Sequence, residues 1–319
     1  MSSVQIEKPK LLIFSAKGRS SLSEHQASSL ERIANVRYEI AVTCIADDEL
    51  ISLCSSVQYL GLTRRTTKNF HAGIIEKLPN LKGVSIYATG TEWLDTDFLA
   101  AKKIELQFLA NYCTLVVAEH SMAMLLNLSR RIHLSDRIAR GDLPKTVSLR
   151  GWELAGKKVG IVGMGKIGQR IALLAQAFGM EVGYYDPKPQ LDAISVQFHR
   201  REFEVLLSGS DVLILAASMD RMTPTIIATP EITLMKSSVY IVNSGRAELV
   251  DHDAMLQALF TKRVQGYAVD DYVYAPEQTA TLENGRLLQT GHSAWYSNEA
   301  MERGTEQWIN HIVEMVKND

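Results

Sequence analysis

Three glycines in the middle of the chain carry the clearest chemical signal. Gly163, Gly165 and Gly168 form a G-x-G-x-x-G motif between an apolar stretch, KKVGIV, and an apolar-periodic stretch typical of a helix. The first glycine permits a tight turn, the second lets the backbone approach a pyrophosphate, and the third lets helix pack on strand. Phosphates at the helix N-terminus are favoured by its amides and its dipole.

Asp186 strengthens this interpretation. It ends the next apolar stretch, EVGYY, close to the separation of about 20 residues at which an acid binds the ribose of a dinucleotide. A carboxylate there accepts hydrogen bonds from the ribose hydroxyls and repels a 2′-phosphate, so the sequence favours NAD over NADP. The alternative is that Asp186 only forms a turn before Pro187.

Two further polar residues also follow apolar stretches. Arg246 comes after YIVNSG, and His292 comes after LLQTG. Ligands of open α/β sheets lie outside the carboxyl ends of the strands, where an arginine can bind a carboxylate bidentately. A histidine facing the same crevice is a candidate proton donor or acceptor, although a single histidine is more often structural.

Alternating apolar and helical stretches must position these residues. Short buried-strand patterns recur between about residues 10 and 110, in LLIFSA, VRYEIAVTC, VQYLGLT, GVSIYAT and IELQFLA. A long helical pattern over 118–140 follows, with Met124, Leu125, Leu128 and Ile132 at helical spacing, and then a linker or arm. A second strand-helix series runs from KKVGIVGMG to LLQTGH, and a last helix after Ser297 places Trp308, Ile312 and Val316 on one face. The pattern predicts parallel α/β sheets.

Composition narrows the function classes. The 319 residues allow two domains, and the net charge of -2 gives no global electrostatic case for nucleic acid or an anionic membrane. Cys44, Cys54 and Cys113 have apolar neighbours and no C-x-x-C spacing, so we expect reduced core thiols. The N-terminal residues do not resemble a signal peptide, so a cytoplasmic protein is expected.

Taken together, these motifs resemble the D-isomer-specific 2-hydroxyacid dehydrogenase family. The stretches that carry the resemblance are YATGTEWLD, NYCTLVVAEHSMAMLLNLSRRI, LRGWELAGKKVGIVGMGKIGQRIA, FGMEVGYYDP, NSGRAELVD, GYAVDD and GHSAWYSNEA. Within the last of these stretches, the run AWYSNEA is similar to the corresponding run in the C-terminal-binding-protein corepressor branch of that family.

The resemblance implies a fold and an assembly. A flavodoxin-like substrate domain, residues 1–118 and 294–319, would surround an inserted Rossmann NAD-binding domain, residues 119–293. Both domains would have parallel doubly wound sheets. Homodimers built through the NAD domains and the arm near Arg140 are usual in the family.

It also implies a chemistry and a set of site residues. Hydride passes between the nicotinamide and C2 of a 2-hydroxy or 2-keto acid, with His292 as acid/base and Arg246 as substrate clamp. Thr89 and Gly90 match the loop that binds the substrate carboxylate, and Asp270 matches an acid that contacts the nicotinamide carboxamide. Tyr112 and Trp295 match pocket-lining positions or are core aromatics. The expected cofactor-binding set is Gly163, Gly165, Lys166, Ile167, Gly168, Asp186, Ala216, Ala217, Ser244 and Asp270, with no metal ion.

One departure from the family pattern bears on the acid/base. The family carries a Glu before a Pro that hydrogen-bonds the catalytic His, and this sequence has Ala275 before Pro276. Without that carboxylate, the pKa of His292 is expected near or below about 6.5. The possible substitutes are Asp271, Tyr272, Tyr274 and Glu277. Strand alternation would point Asp270 and Asp271 to opposite faces.

Further departures keep other functions open. Four more positions differ from residues that are common in the family. A glycine is replaced by Ala88, a histidine by Ala216, and two prolines by Ser218 and Gly291. Together with Ala275 they suggest a pocket remade for another ligand. The alternatives to a 2-hydroxyacid dehydrogenase are a lyase or isomerase that keeps NAD bound, and an NAD(H)-sensing binding protein similar to the corepressor branch.

Overall fold

A computed structural model describes residues 7–188, 194–219 and 223–318. The chain divides into two compact units. The described residues up to Tyr112 and from Asn298 onward form the first unit, and Cys113–Ser297 form the second. The sequence placed the corresponding boundaries at 118/119 and 293/294.

The first unit contains one parallel sheet of five strands. The strands are β1 (Lys10–Ser15), β2 (Asn35–Ile40), β3 (Tyr59–Thr63), β4 (Gly83–Tyr87) and β5 (Glu105–Phe108), in the order β2-β1-β3-β4-β5. The helices that connect them are α1 (Glu24–Ile33), α2 (Asp47–Cys54), α3 (Ala72–Ile75) and α4 (Thr96–Ala101). This is the flavodoxin-like strand order, as expected.

The second unit contains a parallel sheet of seven strands. They are β6 (Lys158–Val162), β7 (Glu181–Tyr185), β8 (His199–Arg200), β9 (Val212–Leu215), β10 (Tyr240–Asn243), β11 (Gly266–Val269) and β12 (Leu287–Gln289), in the order β12-β11-β10-β9-β6-β7-β8. The helices are α5 (Thr114–Arg130), α6 (Ile132–Arg140), α7 (Lys166–Ala177), α8 (Phe203–Gly209), α9 (Thr229–Leu234), α10 (His252–Phe260) and α11 (Pro276–Thr279). The order reverses between β6 and β9, as in a Rossmann fold. Both predicted fold classes are confirmed.

The last helix, α12 (Asn298–Lys317), packs in the first unit. Trp308 and Ile312 are buried, and a Cβ added at Gly61 would lie only 2.9 Å from the Trp308 ring. The indole nitrogen of Trp308 donates a hydrogen bond to the Ser85 carbonyl, 3.0 Å away. A glycine in β3 therefore makes room for the helix face that the sequence pattern had indicated.

The long helix expected over 118–140 is two helices. Arg131 adopts a left-handed conformation with φ 53°, which ends α5 and begins α6. Met124, Leu125 and Leu128 are buried as expected, but Ile132 is 55% exposed because it lies beyond the break. The sequence has no glycine or proline at this point, so the break was not predicted.

Two smaller expectations also differ from the structure. Cys54 is buried and Cys113 is half-buried, but Cys44 is exposed, so the prediction of three core thiols is wrong for Cys44. Cys44 lies beyond Ile40, where β2 ends, whereas the apolar run had suggested a strand that continues to Cys44. No helix of the described part of the chain is long and apolar enough to cross a membrane.

Candidate active site

Five predicted site residues of the second unit follow strands at one edge of its sheet. Gly163 follows β6, Asp186 follows β7, Ser244 follows β10, Asp270 follows β11 and His292 follows β12. The strands are parallel, so all these residues lie beyond carboxyl ends on the same edge. Ligands of doubly wound sheets bind at this edge.

The glycine loop has the shape that a pyrophosphate needs. Gly163 has φ 94°, and a Cβ there would lie 2.6 Å from the Ala217 backbone. A Cβ at Gly168 would lie 2.0 Å from the carbonyl oxygen of Gly163, so the third glycine is what allows α7 to approach β6. A Cβ at Gly165 would meet nothing within 4 Å, which leaves open space at the N-terminus of α7 for an anion.

These clashes predict opposite results for two alanine substitutions. Gly168→Ala is expected to lower the melting temperature strongly, because its Cβ would overlap backbone that cannot move independently. Gly165→Ala is expected to keep the melting temperature within a few degrees and to weaken NADH binding about tenfold, because the methyl occupies space left for the ligand. Thermal unfolding and NADH fluorescence titration measure the two effects. Equal loss of stability in both variants would contradict this account of the loop.

Asp186 holds the loop by its carboxylate. Its Oδ2 accepts a hydrogen bond from the Met164 amide at 2.8 Å, and its Oδ1 accepts one from the Lys188 amide at 2.8 Å. Lys166 and Ile167 are the first two residues of α7, which has Gly165 as its N-cap. The carboxylate predicted to bind ribose is therefore next to the predicted phosphate loop.

Ala216, Ala217 and Ser244 line the same edge. The Ala216 amide donates to the Val162 carbonyl at 2.8 Å, and Ala217 lies against Gly163. The Ser244 hydroxyl is buried and lies 2.5 Å from that of Ser121 in α5. The cofactor roles of these three residues remain predictions.

Asp270 anchors the loop that carries His292. Its carboxylate is buried and accepts hydrogen bonds from the Thr290 hydroxyl at 2.6 Å and from the Ser293 and Ala294 amides at 2.9 Å each. These contacts surround His292, whose φ of 55° is uncommon for a residue other than glycine. The structure gives Asp270 this anchoring role, and its contact with nicotinamide remains a prediction.

His292 has a carboxylate partner, contrary to the expectation from Ala275. Its Nδ1 is in hydrogen-bond contact with Oδ1 of Asp271. The argument from strand alternation was wrong because β11 ends at Val269, and the chain turns before Asp271. Asp270 and Asp271 therefore both contact the loop after β12. Asp270 accepts hydrogen bonds from backbone amides of this loop, and Asp271 contacts the imidazole of His292.

The contact shifts the pKa of both partners. The hydrogen bond that His292 donates to Asp271 raises the pKa of His292 above its ordinary value and outweighs burial, which lowers it. Burial raises the pKa of Asp271, but the hydrogen bond and the charge of His292, with the charge of Arg246, bring it below its ordinary value. The expectation that His292 titrates near or below its ordinary pKa is wrong.

Arg246 belongs to the same group of charges. Its positive charge lowers the pKa of both His292 and Asp271. The loop that carries it is fixed by Asn243, whose amide nitrogen donates to the Arg246 carbonyl at 2.9 Å and whose oxygen accepts from the Gly245 amide at 3.0 Å. The structure thus brings together a guanidinium, an imidazole and a carboxylate.

Ala275 stands at the start of a short helix. Its amide donates to the side chain of Gln278 at 2.9 Å, and Pro276 begins α11. Glu277, which the sequence offered as a substitute acid, is exposed in that helix. Tyr274 is buried and hydrogen-bonds to His252. Of the substitutes considered from the sequence, Asp271 is the one in contact with His292.

The remaining predicted substrate-binding residues lie in both units. In the first unit, Thr89 is exposed after β4, the Gly90 carbonyl accepts from the Trp93 indole at 3.1 Å, and Tyr112 packs edge-on to Tyr87 at 6.0 Å with 8% exposure. In the second unit, the Trp295 indole donates to the His292 carbonyl at 3.0 Å. Tyr112 is thus largely a core aromatic of its unit.

The sequence did not identify the residues that support the acid/base pair. The backbone amide of Ala247 lowers the pKa of Asp271, and the Thr290 hydroxyl donates a hydrogen bond to Asp270. A backbone amide leaves no trace in residue type, but the Asp-Asp pair at a strand end was a usable signal. Within the residues described, no three His, Cys, Asp or Glu side chains are placed to hold a metal ion.

Comparison with known proteins agrees with this geometry. Residues 122–294 match the family described as D-isomer specific 2-hydroxyacid dehydrogenase, NAD binding domain. Glycerate dehydrogenase of Methylorubrum extorquens is 30% identical over 251 residues, which cover 76% of this chain and 78% of that protein. The chain belongs to the D-isomer specific 2-hydroxyacid dehydrogenase family.

Solved structures share the fold over nearly all of the chain. An acyclic imino acid reductase, solved with NADPH and D-Arg, has a TM-score of 0.84 at 24% identity and covers 97% of each chain. D-lactate dehydrogenase from Aquifex aeolicus, complexed with NAD and lactic acid, has a TM-score of 0.80 at 23% identity, covering 97% of this chain and 96% of that one. At these identities the likeness concerns the fold.

Family membership identifies the ligand of the second unit and the general class of the protein. The matched region lies inside the second unit, so this unit is the NAD-binding domain of a 2-hydroxyacid dehydrogenase family member. The chain is accordingly an oxidoreductase of a family that acts on small molecules. The glycine loop, the N-terminus of α7 and Asp186 fit that cofactor.

Proposed function

We propose that the chain is an NAD-dependent oxidoreductase that interconverts a 2-keto acid and a 2-hydroxy acid, with His292 as acid/base, Asp271 as its carboxylate partner and Arg246 as substrate clamp. The contact between His292 Nδ1 and Asp271 is the observation that carries the proposal. It supplies the carboxylate that the change at Ala275 removes, so the site keeps the chemistry of the family with a different acid.

The residues have separate tasks in this proposal. Arg246 binds the substrate carboxylate through its planar fork of donors. Because Asp271 engages Nδ1, Nε2 of His292 is the nitrogen that gives a proton to the carbonyl oxygen in reduction and takes it back in oxidation. When bound, NADH would supply the hydride for C2 and would itself be oxidised to NAD. The products are then a 2-hydroxy acid and the neutral imidazole.

The pKa shifts give the proposal a pH dependence. Reduction requires protonated His292, and its raised pKa keeps that form populated to higher pH. Asp271→Asn is expected to move the falling limb of the kcat/KM profile for reduction about 1 pH unit lower, because the hydrogen bond that raises the pKa loses its charge. NADH consumption measured between about pH 5 and 9 checks this.

Ala275→Glu is the matched control for that experiment. His292 Nδ1 already contacts Asp271, so a second carboxylate at 275 is expected to leave the falling limb in place. If the falling limb of the kcat/KM profile moves to higher pH in Ala275→Glu and stays in place in Asp271→Asn, Asp271 is not the partner of His292.

A substrate screen tests the reaction class itself. NADH consumption is measured with a panel of 2-keto acids, including glyoxylate, pyruvate, hydroxypyruvate and branched and aromatic members, so that the size and polarity of the substrate side chain both vary. Each substrate is assayed at several pH values across the range in which histidine titrates. No turnover of any panel member between about pH 5 and 8 contradicts the proposal.

We also propose that the chain forms a homodimer through the second unit. Ile132 at the start of α6 and Leu149 in the following arm are 55% and 42% exposed, which is apolar surface that a second copy can cover. Sedimentation velocity is expected to give the mass of two chains, and Ile132→Glu is expected to shift the protein toward single chains. A wild-type chain that sediments as a monomer at micromolar concentration contradicts this.

A further inference from the structure

A half-buried histidine packs against the segment that carries Asp271. His252 is the first residue of α10, and its ring stacks on Tyr272 with a centroid distance of 3.6 Å and an interplanar angle of 6°. Tyr274 packs edge-on to the same ring at 5.6 Å. Tyr272 directly follows Asp271, so the stack holds the segment that carries the carboxylate.

Hydrogen bonds fix the orientation and tautomer of this ring. Nε2 of His252 lies 3.0 Å from the Ala247 carbonyl, and a carbonyl only accepts, so Nε2 carries the hydrogen. Nδ1, which accepts in this tautomer, lies 3.2 Å from the Tyr274 hydroxyl, whose single hydrogen is shared between Nδ1 and the His252 carbonyl 3.0 Å away. Burial lowers the pKa of His252 and outweighs the effects of Ala247 and of Asp251, Glu248 and Asp253, so the ring is neutral at neutral pH.

Ala247 connects the ring to the active site. Its backbone amide lowers the pKa of the Asp271 carboxyl, while its carbonyl accepts a hydrogen bond from His252. Ala247 also directly follows Arg246. The imidazole therefore joins the segment that carries the guanidinium to the segment that carries the carboxylate, by a hydrogen bond on one side and a stacked ring on the other.

We propose that His252 is a positioning residue that holds Asp271 against His292 through Ala247 and Tyr272. The proposal rests on the proposed function for its catalytic meaning, but its geometry concerns the acid/base pair alone. His252 touches neither His292 nor Arg246 in the contacts described. Its effect reaches His292 through the position of one carboxylate, so it should appear as a change in the pKa of His292.

Substitutions separate the hydrogen bond from the stack. His252→Phe keeps an aromatic ring for Tyr272 but loses the donor to Ala247. His252→Gln places an amide nitrogen where Nε2 lies and keeps a donor without the ring. His252→Asn is a second loss-of-donor variant, since its amide is too short to reach Ala247, and it replaces the Phe variant if that protein does not fold. Tyr272→Phe is the matched control, because it keeps the stacked ring.

The readout is the pKa of His292 in the full-length chain, followed by NMR of carbon-13-labelled histidine. The protein has 8 histidines, and the His292 signal is the one that His292→Gln lacks. In His252→Phe or His252→Asn the pKa of His292 is expected to fall by about 0.5 unit or more. His252→Gln is expected to recover most of the wild-type value, and Tyr272→Phe to keep it.

A pKa of His292 that stays at the wild-type value in folded His252→Phe or His252→Asn overturns the proposal. So does a fall that is equally large in His252→Gln and in His252→Phe, because the donor to Ala247 would then have no role. The titration needs no substrate and no turnover. A chain that fails the 2-keto acid screen but shows these shifts refutes the proposed reaction and supports the positioning role.

Discussion

Replacement of His292 with glutamine is expected to lower kcat/KM for 2-keto acid reduction by about 10²- to 10⁴-fold. Glutamine keeps a polar side chain of similar reach but gives no proton to the carbonyl oxygen. NADH binding is expected to change little, because the glycine loop and Asp186 form a separate part of the second unit. Steady-state rates and NADH fluorescence titration measure the two quantities.

The loss should appear in kcat as well as in kcat/KM. The loss of an interaction that is made only in the transition state lowers kcat and kcat/KM equally. The residual rate should also lose the pH dependence attributed to His292 between about pH 6 and 9. Activity of His292→Gln within about threefold of wild type, with the pH profile intact, would show that another group moves the proton.

Replacement of Arg246 with glutamine is expected to reduce kcat/KM by about 100-fold or more, because a charged, bidentate partner of a carboxylate is lost. Arg246→Lys keeps the charge but not the planar fork, so it should recover only part of the loss. A rise in KM for the keto acid in both variants is the expected signature of substrate binding.

The charge of Arg246 adds a second effect that a purely structural role would not produce. It lowers the pKa of His292, so its removal should raise that pKa. The falling limb of the reduction profile is therefore expected at higher pH in Arg246→Gln and near its wild-type place in Arg246→Lys. A pH profile that does not move in Arg246→Gln would separate Arg246 from the acid/base pair.

The sequence predicted the features that depend on local chemistry. The glycine spacing requires a tight turn, an open approach and a close helix contact, and Gly163, Gly165 and Gly168 each meet the corresponding condition. Apolar runs predicted the sheets because a parallel strand is buried on both faces. The two-residue strand β8 was not predicted, since His199 and Arg200 have no strand-like pattern.

The sequence did not predict the partner of His292, because that contact depends on where a strand ends. The sequence marked Ala275 as a departure from the family pattern, and Asp271 was among the possible substitutes. Strand alternation argued against it, yet β11 stops at Val269 and the following turn redirects the side chain. The support from Ala247 and His252 comes from a different loop and helix, which residue spacing along the chain does not reveal.

The pKa of His292 in wild type and in Asp271→Asn tests the central claim most directly. The claim is that Asp271 supplies the carboxylate that Ala275 lacks. NMR titration of the histidine signals is expected to give a wild-type value above the ordinary value of about 6.5, and a value about 1 unit lower in Asp271→Asn. A wild-type pKa at or below about 6.5, unchanged in Asp271→Asn, would contradict it.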